Sequence, residues 1–223
     1  MNTFEIVCSA VRRKGFGVHK ATREDVELAL RSEGIDTENY NFSMEDGKKD
    51  LYIDAYETGD DIFLYKGYGN SQALCHEFIH KWWKERGNKM YLQQIKKLHQ
   101  QKWNEIVQNE EYSVILDNEN EICGEVLAKS YETLLNDFVE QHAEKINNTE
   151  FLQGLQGEIK EKNISQLTED DFTKIIAYDL FNGKKWGNGK NLEKNKNKNK
   201  FSILQKVRGV FSFDDEDTLT YYF

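Results

Sequence analysis

Ala73-Leu74-Cys75-His76-Glu77-Phe78-Ile79-His80-Lys81-Trp82-Trp83 is the stretch whose reading organises the rest of the chain. Two imidazoles four residues apart stand one turn above each other on the same side of a helix. That spacing lets both rings reach one tetrahedral Zn²⁺, and the intervening Glu77 can serve as general base toward a water on that metal. Asn70 or Ser71 caps this helix after the run Gly67-Tyr68-Gly69, and Gly87 stops it. At about 100° per residue, Leu74, Cys75, Phe78, Ile79, Trp82 and Trp83 fill one broad arc. His76 and His80 fall at its border, where a half-buried metal would sit. The competing reading is an amphipathic surface helix. Glu77 then pairs with Lys81 at i,i+4, a contact of about a few tenths of a kcal/mol, and the histidines are boundary residues.

Upstream, residues 3–12 form a short apolar element of open type. Thr22 is placed to cap a helix over TREDVELALRSEG that ends at Gly34, with Asp25 at its third position. DLYIDAY alternates, TGDD turns and DIFLYKGY alternates again, which predicts a hairpin directly before the HEFIH helix. Downstream, residues 90–109 and 119–147 read as two helices, with EEYSVILD between them as a short strand. Ser165 or Thr168 starts a further helix that runs through Phe181. Three parts result: an acidic α+β body over 1–183, a basic Lys/Asn-rich linker over 184–200, and a C-terminal β-hairpin over 201–223. The expected fold class is α+β, a small mixed sheet packed against several helices.

Charge narrows the function classes. The formal net charge is -9, and the 184–200 segment carries seven Lys against one Glu. The body is therefore more acidic than the whole chain. An acidic body is a poor binder of nucleic acid or anionic lipid, so nucleic acid is expected only through Lys184–Lys200. GKKWGNGK lacks the glycine spacing and the Ser or Thr of a phosphate loop. Three cysteines in 223 residues argue against a disulfide framework and for a reducing, cytoplasmic setting. No run approaches a membrane span.

LCHEFIHKWW resembles the active-site helix of the zincin metallopeptidases. The Trp two residues after the second His is similar to the gluzincin aminopeptidase branch. The resemblance implies a zincin-like helix with His76 and His80 as ligands and Glu77 as base. Gluzincins take a third ligand from a Glu on a later helix, and Gly124-Glu125-Val126-Leu127-Ala128-Lys129-Ser130-Tyr131-Glu132 resembles that helix, which implies Glu125. The aminopeptidases place that Glu closer, at a spacing that here falls on His99. The third ligand thus stays open among Glu125, Glu121 and His99. Lys81 stands where zincins are usually uncharged. No third His follows at the short metzincin distance. The implied activity is zinc-dependent hydrolysis of a peptide or protein by a Glu-activated metal-bound water, with Tyr131 or His142 stabilising the oxyanion. In such peptidases an edge strand beside the active-site helix holds the substrate backbone.

Two other classes compete. Cys75 near a helix N-terminus resembles the placement of a papain-like nucleophile, because the helix dipole depresses a thiol pKa. Its expected partner is His142, far downstream in the helix predicted over 119–147. The second class is a non-catalytic acidic protein, such as an inhibitor, that docks on a basic partner surface.

Overall fold

Asn2 opens the first helix through a closed capping box. Its side chain accepts the Glu5 N–H at 2.8 Å, and Glu5 accepts the Asn2 N–H at 3.0 Å. The apolar element of residues 3–12 is thereby helical, as α1 (Thr3–Arg13). The computed structural model describes residues 2–32, 40–41, 49–50, 55–58, 60–65, 69–87, 89–109, 112, 115–160 and 162–186. The expected hairpin over 201–223 and all but the start of the Lys/Asn-rich linker lie outside these residues. Among them the class is α+β, dominated by helices.

The chain runs from α1 into β1 (Gly17–Lys20) and α2 (Arg23–Ser32). The expected Thr22 cap is present: Asp25 takes the Thr22 N–H at 2.7 Å, and Thr22 Oγ1 takes the Asp25 N–H at 3.2 Å. Two-residue strands β2 (Tyr40–Asn41) and β3 (Lys49–Asp50) pair in parallel. The hairpin β4 (Ala55–Thr58) and β5 (Asp61–Leu64) forms where alternation predicts it, turning at Asp60. β5 also pairs in parallel with β1, with Val18 opposite Ile62, which gives the order β1-β5-β4. Val18, Ile62 and Leu64 are buried on the inner face of this sheet.

Helix α3 (Ser71–Arg86) begins at Asn70, whose side chain accepts the Gln72 N–H at 2.9 Å, and it ends at Gly87. Every residue from Ala73 to Trp83 is buried, including Glu77 and Lys81. This overturns both the surface-helix reading and the border position of the two histidines. The reason is that α1, α6, α8 and the sheet all pack against α3, so it has no solvent face over these three turns.

Residues 90–109 form two helices rather than one, α4 (Lys89–Leu98) and α5 (Gln100–Gln108). The break is at His99, a non-helical residue at φ -116° and ψ 37°. Its buried ring pairs with Tyr131 Oη at 2.8 Å and lies 3.4 Å from Glu169. Burial holds the His99 imidazole below its ordinary range, against the opposing pull of Glu169. The unfolded chain therefore takes up this proton at higher pH than the folded chain. Stability contributed by neutral His99 is present above about pH 6.5 and is lost as pH falls toward the lower folded value. The urea midpoint of metal-free protein is expected to drop between about pH 7 and 5, and to drop less steeply in His99→Gln.

EEYSVILD is not a strand among the described residues. Residues 115–117 form a turn, with the Asn118 N–H on Ile115 O at 2.9 Å, and both Tyr112 and Ile115 are buried in the core. Asn118 then caps α6 (Glu119–Gln141), which is followed by turns over 142–147. Sequence reasoning missed α7 (Thr149–Lys160), whose interior carries Gly154 and Gly157. Two interior glycines weaken the helix signal by about 1 kcal/mol each, and packing against α8 outweighs them. α8 (Glu169–Phe181) starts at Thr168 in a capping box with Asp171, as expected.

Candidate metal centre

α3 and α6 lie side by side, and a ladder of polar contacts joins them. Reading along α3, Ser71 Oγ donates to Asn136 at 2.5 Å and Gln72 Nε2 to Glu132 Oε1 at 3.0 Å. His76 Nδ1 then meets Glu132 Oε2 at 2.5 Å, His80 Nε2 lies 3.5 Å from Glu125 Oε1, and Trp83 Nε1 donates to Asn120 O at 2.7 Å. Partners descend α6 as residues ascend α3, so the two helices run antiparallel. Gly124 lets them meet this closely. A Cβ there would stand 3.3 Å from Trp83 Cδ1 and 3.4 Å from His80 Nδ1.

His76, His80 and Glu125 form one buried group, with one ligand atom from each lying within 4.8 Å of the others. Such a group can hold a metal ion, and its dimensions fit one. The two Nε2 atoms are 3.2 Å apart. Nitrogens at the usual zinc distance and a tetrahedral angle lie about 3.3 Å apart. Glu132, a carboxylate acceptor, fixes the proton of His76 on Nδ1 and leaves the Nε2 lone pair directed at His80. Two imidazole nitrogens facing each other at that distance need a proton or a cation between them. Charge favours the cation. Glu125 and Glu132 bring two largely buried carboxylates to the two imidazoles. Among the described residues neither Glu125 nor Glu132 has a Lys or Arg ion-pair partner, and burying such groups uncompensated is costly.

Of the three candidates for third ligand, Glu125 alone joins the histidines among the described residues. His99 is spent on Tyr131 and Glu169. Glu121, one turn before Glu125, lies outside the group, and burial pushes its carboxyl up. Glu77 is wholly buried on α3. The oxyanion candidates are not brought to the centre. Tyr131 faces away from Glu125 around α6 and gives its hydroxyl to His99, while burial pushes its phenol up. His142 ends α6, about 25 Å along the axis from Glu125, stacked on Phe138 with Nδ1 3.0 Å from Phe138 O. Cys75 has no exposed surface, and burial together with Glu132 pushes its thiol far up. Desolvation thus exceeds the helix-dipole effect expected from sequence, and Cys75 stays a neutral core thiol.

Glu132 and Gln72 are the site residues that sequence reasoning passed over. Glu132 follows Glu125 by seven residues, two helical turns, and that spacing was the available signal.

No family model matches the chain, and no curated protein or solved structure matches it. No described helix is long and apolar enough to cross a membrane.

Proposed function

We propose that this protein is a metal-dependent hydrolase, with zinc held by His76, His80 and Glu125 and a peptide bond as the scissile group. The observation that carries this reading is the convergence of two Nε2 atoms and one carboxylate at edge lengths of 3.2 and 3.5 Å inside a buried, acid-rich helix pair. Two histidines and one carboxylate are also a donor set that leaves a fourth position for substrate or solvent.

Zinc, when bound there, supplies Lewis acidity and a nucleophilic water at neutral pH. The chain's own residues do the rest. Glu132 orients His76 through Nδ1, and Gln72 Nε2 holds the other oxygen of Glu132. Glu77, next to His76 on the same helix, accepts the proton of the attacking water on its carboxylate and returns it to the leaving amine. β4 supports a peptide as substrate. It lies against α3, pairs with β5 along one side, and among the described residues has no strand on the other. An extended peptide can add to such an edge.

The test is hydrolysis of unfolded casein by the full chain. Activity is expected to vanish on treatment with a chelator and to return with zinc. A zinc-loaded chain that cleaves no peptide bond contradicts the peptidase reading.

A further inference from the structure

Trp82 stands two residues beyond His80, on the opposite side of α3, and there it borders a cavity. The volume is about 350 Å³, and the walls include Trp82, Arg86, Tyr91, Asp179, Asn182 and Lys184. This is within the range of small-molecule sites. Its chemistry is the reverse of the metal centre, because donors and positive charge are in surplus.

Lys14 lies beneath the wall with no exposed surface. Its Nζ donates to Asn182 Oδ1 at 2.5 Å and to Lys184 O at 3.0 Å, both neutral acceptors on residues that line the cavity. The Trp186 ring lies 5.3 Å from Lys14 Nζ and 5.9 Å from the Arg86 guanidinium. Its indole N–H is buried and meets no acceptor among the described residues. Asp179 is the one carboxylate in the wall among the described residues. It is already engaged by Trp82 Nε1 at 2.8 Å and Asn182 Nδ2 at 3.3 Å, with Arg86 Nε at 3.9 Å. Three cations, Lys14, Arg86 and Lys184, therefore surround one occupied acid in a chain whose net charge is -9.

We propose that this cavity binds a small molecule through a carboxylate or phosphate group, with Arg86 and Lys184 as its charged partners. Arg86 presents a fork that matches either oxyanion, and its side chain is 44% exposed, so an incoming anion can reach it. Tyr91, Tyr178 and Gln156 complete the largely polar lining. The state of Lys14 agrees with a missing anion. Burial pushes its ammonium down to about 8, Asp179 opposes this, and Arg86, Arg13 and Lys184 add to it. An anion beside these cations relieves that repulsion.

The experiment follows the thermal midpoint of the full chain with inorganic phosphate and, separately, with succinate, at constant ionic strength balanced by chloride. A saturable rise with either anion is expected. Its half-saturation should move up by about tenfold in Arg86→Gln and in Lys184→Gln, the effect of losing one charged hydrogen bond. A response to phosphate alone assigns a phosphate-bearing ligand, and a response to succinate alone a carboxylate. The response should persist in His76→Ala. The proposal is overturned if neither anion exceeds chloride, or if both Gln variants respond as the parent does. It is equally overturned if the response disappears in His76→Ala, since the anion would then sit on the metal centre.

Discussion

Glu77→Gln is expected to keep one metal ion per chain and to lower the rate of peptide hydrolysis by about 10²- to 10⁴-fold, the usual contribution of a positioned general base. Gln is close in size and shape to Glu, so the packing of α3 around position 77 is preserved. What is lost is the proton acceptor. Glu132→Ala should act in the other direction. It leaves Glu77 in place but frees His76 Nδ1, so metal affinity falls by about 10- to 100-fold while the metal-saturated rate changes less. Measuring kcat at saturating zinc together with the zinc dissociation constant separates the two roles. A Glu77→Gln chain that hydrolyses peptide as fast as the parent would remove Glu77 from the role of general base.

Trp82→Ala is expected to lower the unfolding free energy by about 3–5 kcal/mol, read from the urea midpoint at neutral pH. Trp82 has no exposed surface, and its ring stacks against Tyr91 at 6.2 Å between centroids. Truncation leaves a large void where α3, α4 and α8 meet. It also strips Asp179 of its shortest hydrogen bond. Domains are typically stable by about 5–15 kcal/mol, so this one change removes a large fraction of the total. A loss below about 1 kcal/mol would mean that α3 is not the packed centre described here. Trp103, at the α5–α6 contact and also buried, is a useful comparison because it carries no link to Asp179.

The caps of α3 were legible because they are local. Asn70 and Gly87 act on backbone groups within a turn of themselves, and Thr168 and Thr22 do the same for α8 and α2. The β4–β5 hairpin was legible from alternation. The burial of α3 on every side was not. Glu77 and Lys81 look like a solvated i,i+4 pair until elements far apart in sequence pack around α3, with Lys81 Nζ 5.5 Å from the Phe16 ring. For the same reason the third ligand stayed open among three residues. Spacing places Glu125 on a helix, but only packing places it beside His80, and Gly124 is the residue that permits the approach. The break at His99 has no Gly or Pro to announce it. Its stabilising partners, Tyr131 and Glu169, come from two other helices. EEYSVILD has strand composition, yet Tyr112 and Ile115 serve as core anchors in irregular backbone, a tertiary use that local propensity does not encode.

Metal analysis of the purified full chain, beside His76→Ala, tests the central claim most directly. One zinc per parent chain, lost in the variant while the helical circular dichroism is kept, is the predicted result. A folded parent chain that takes up no divalent ion when zinc is supplied would contradict it.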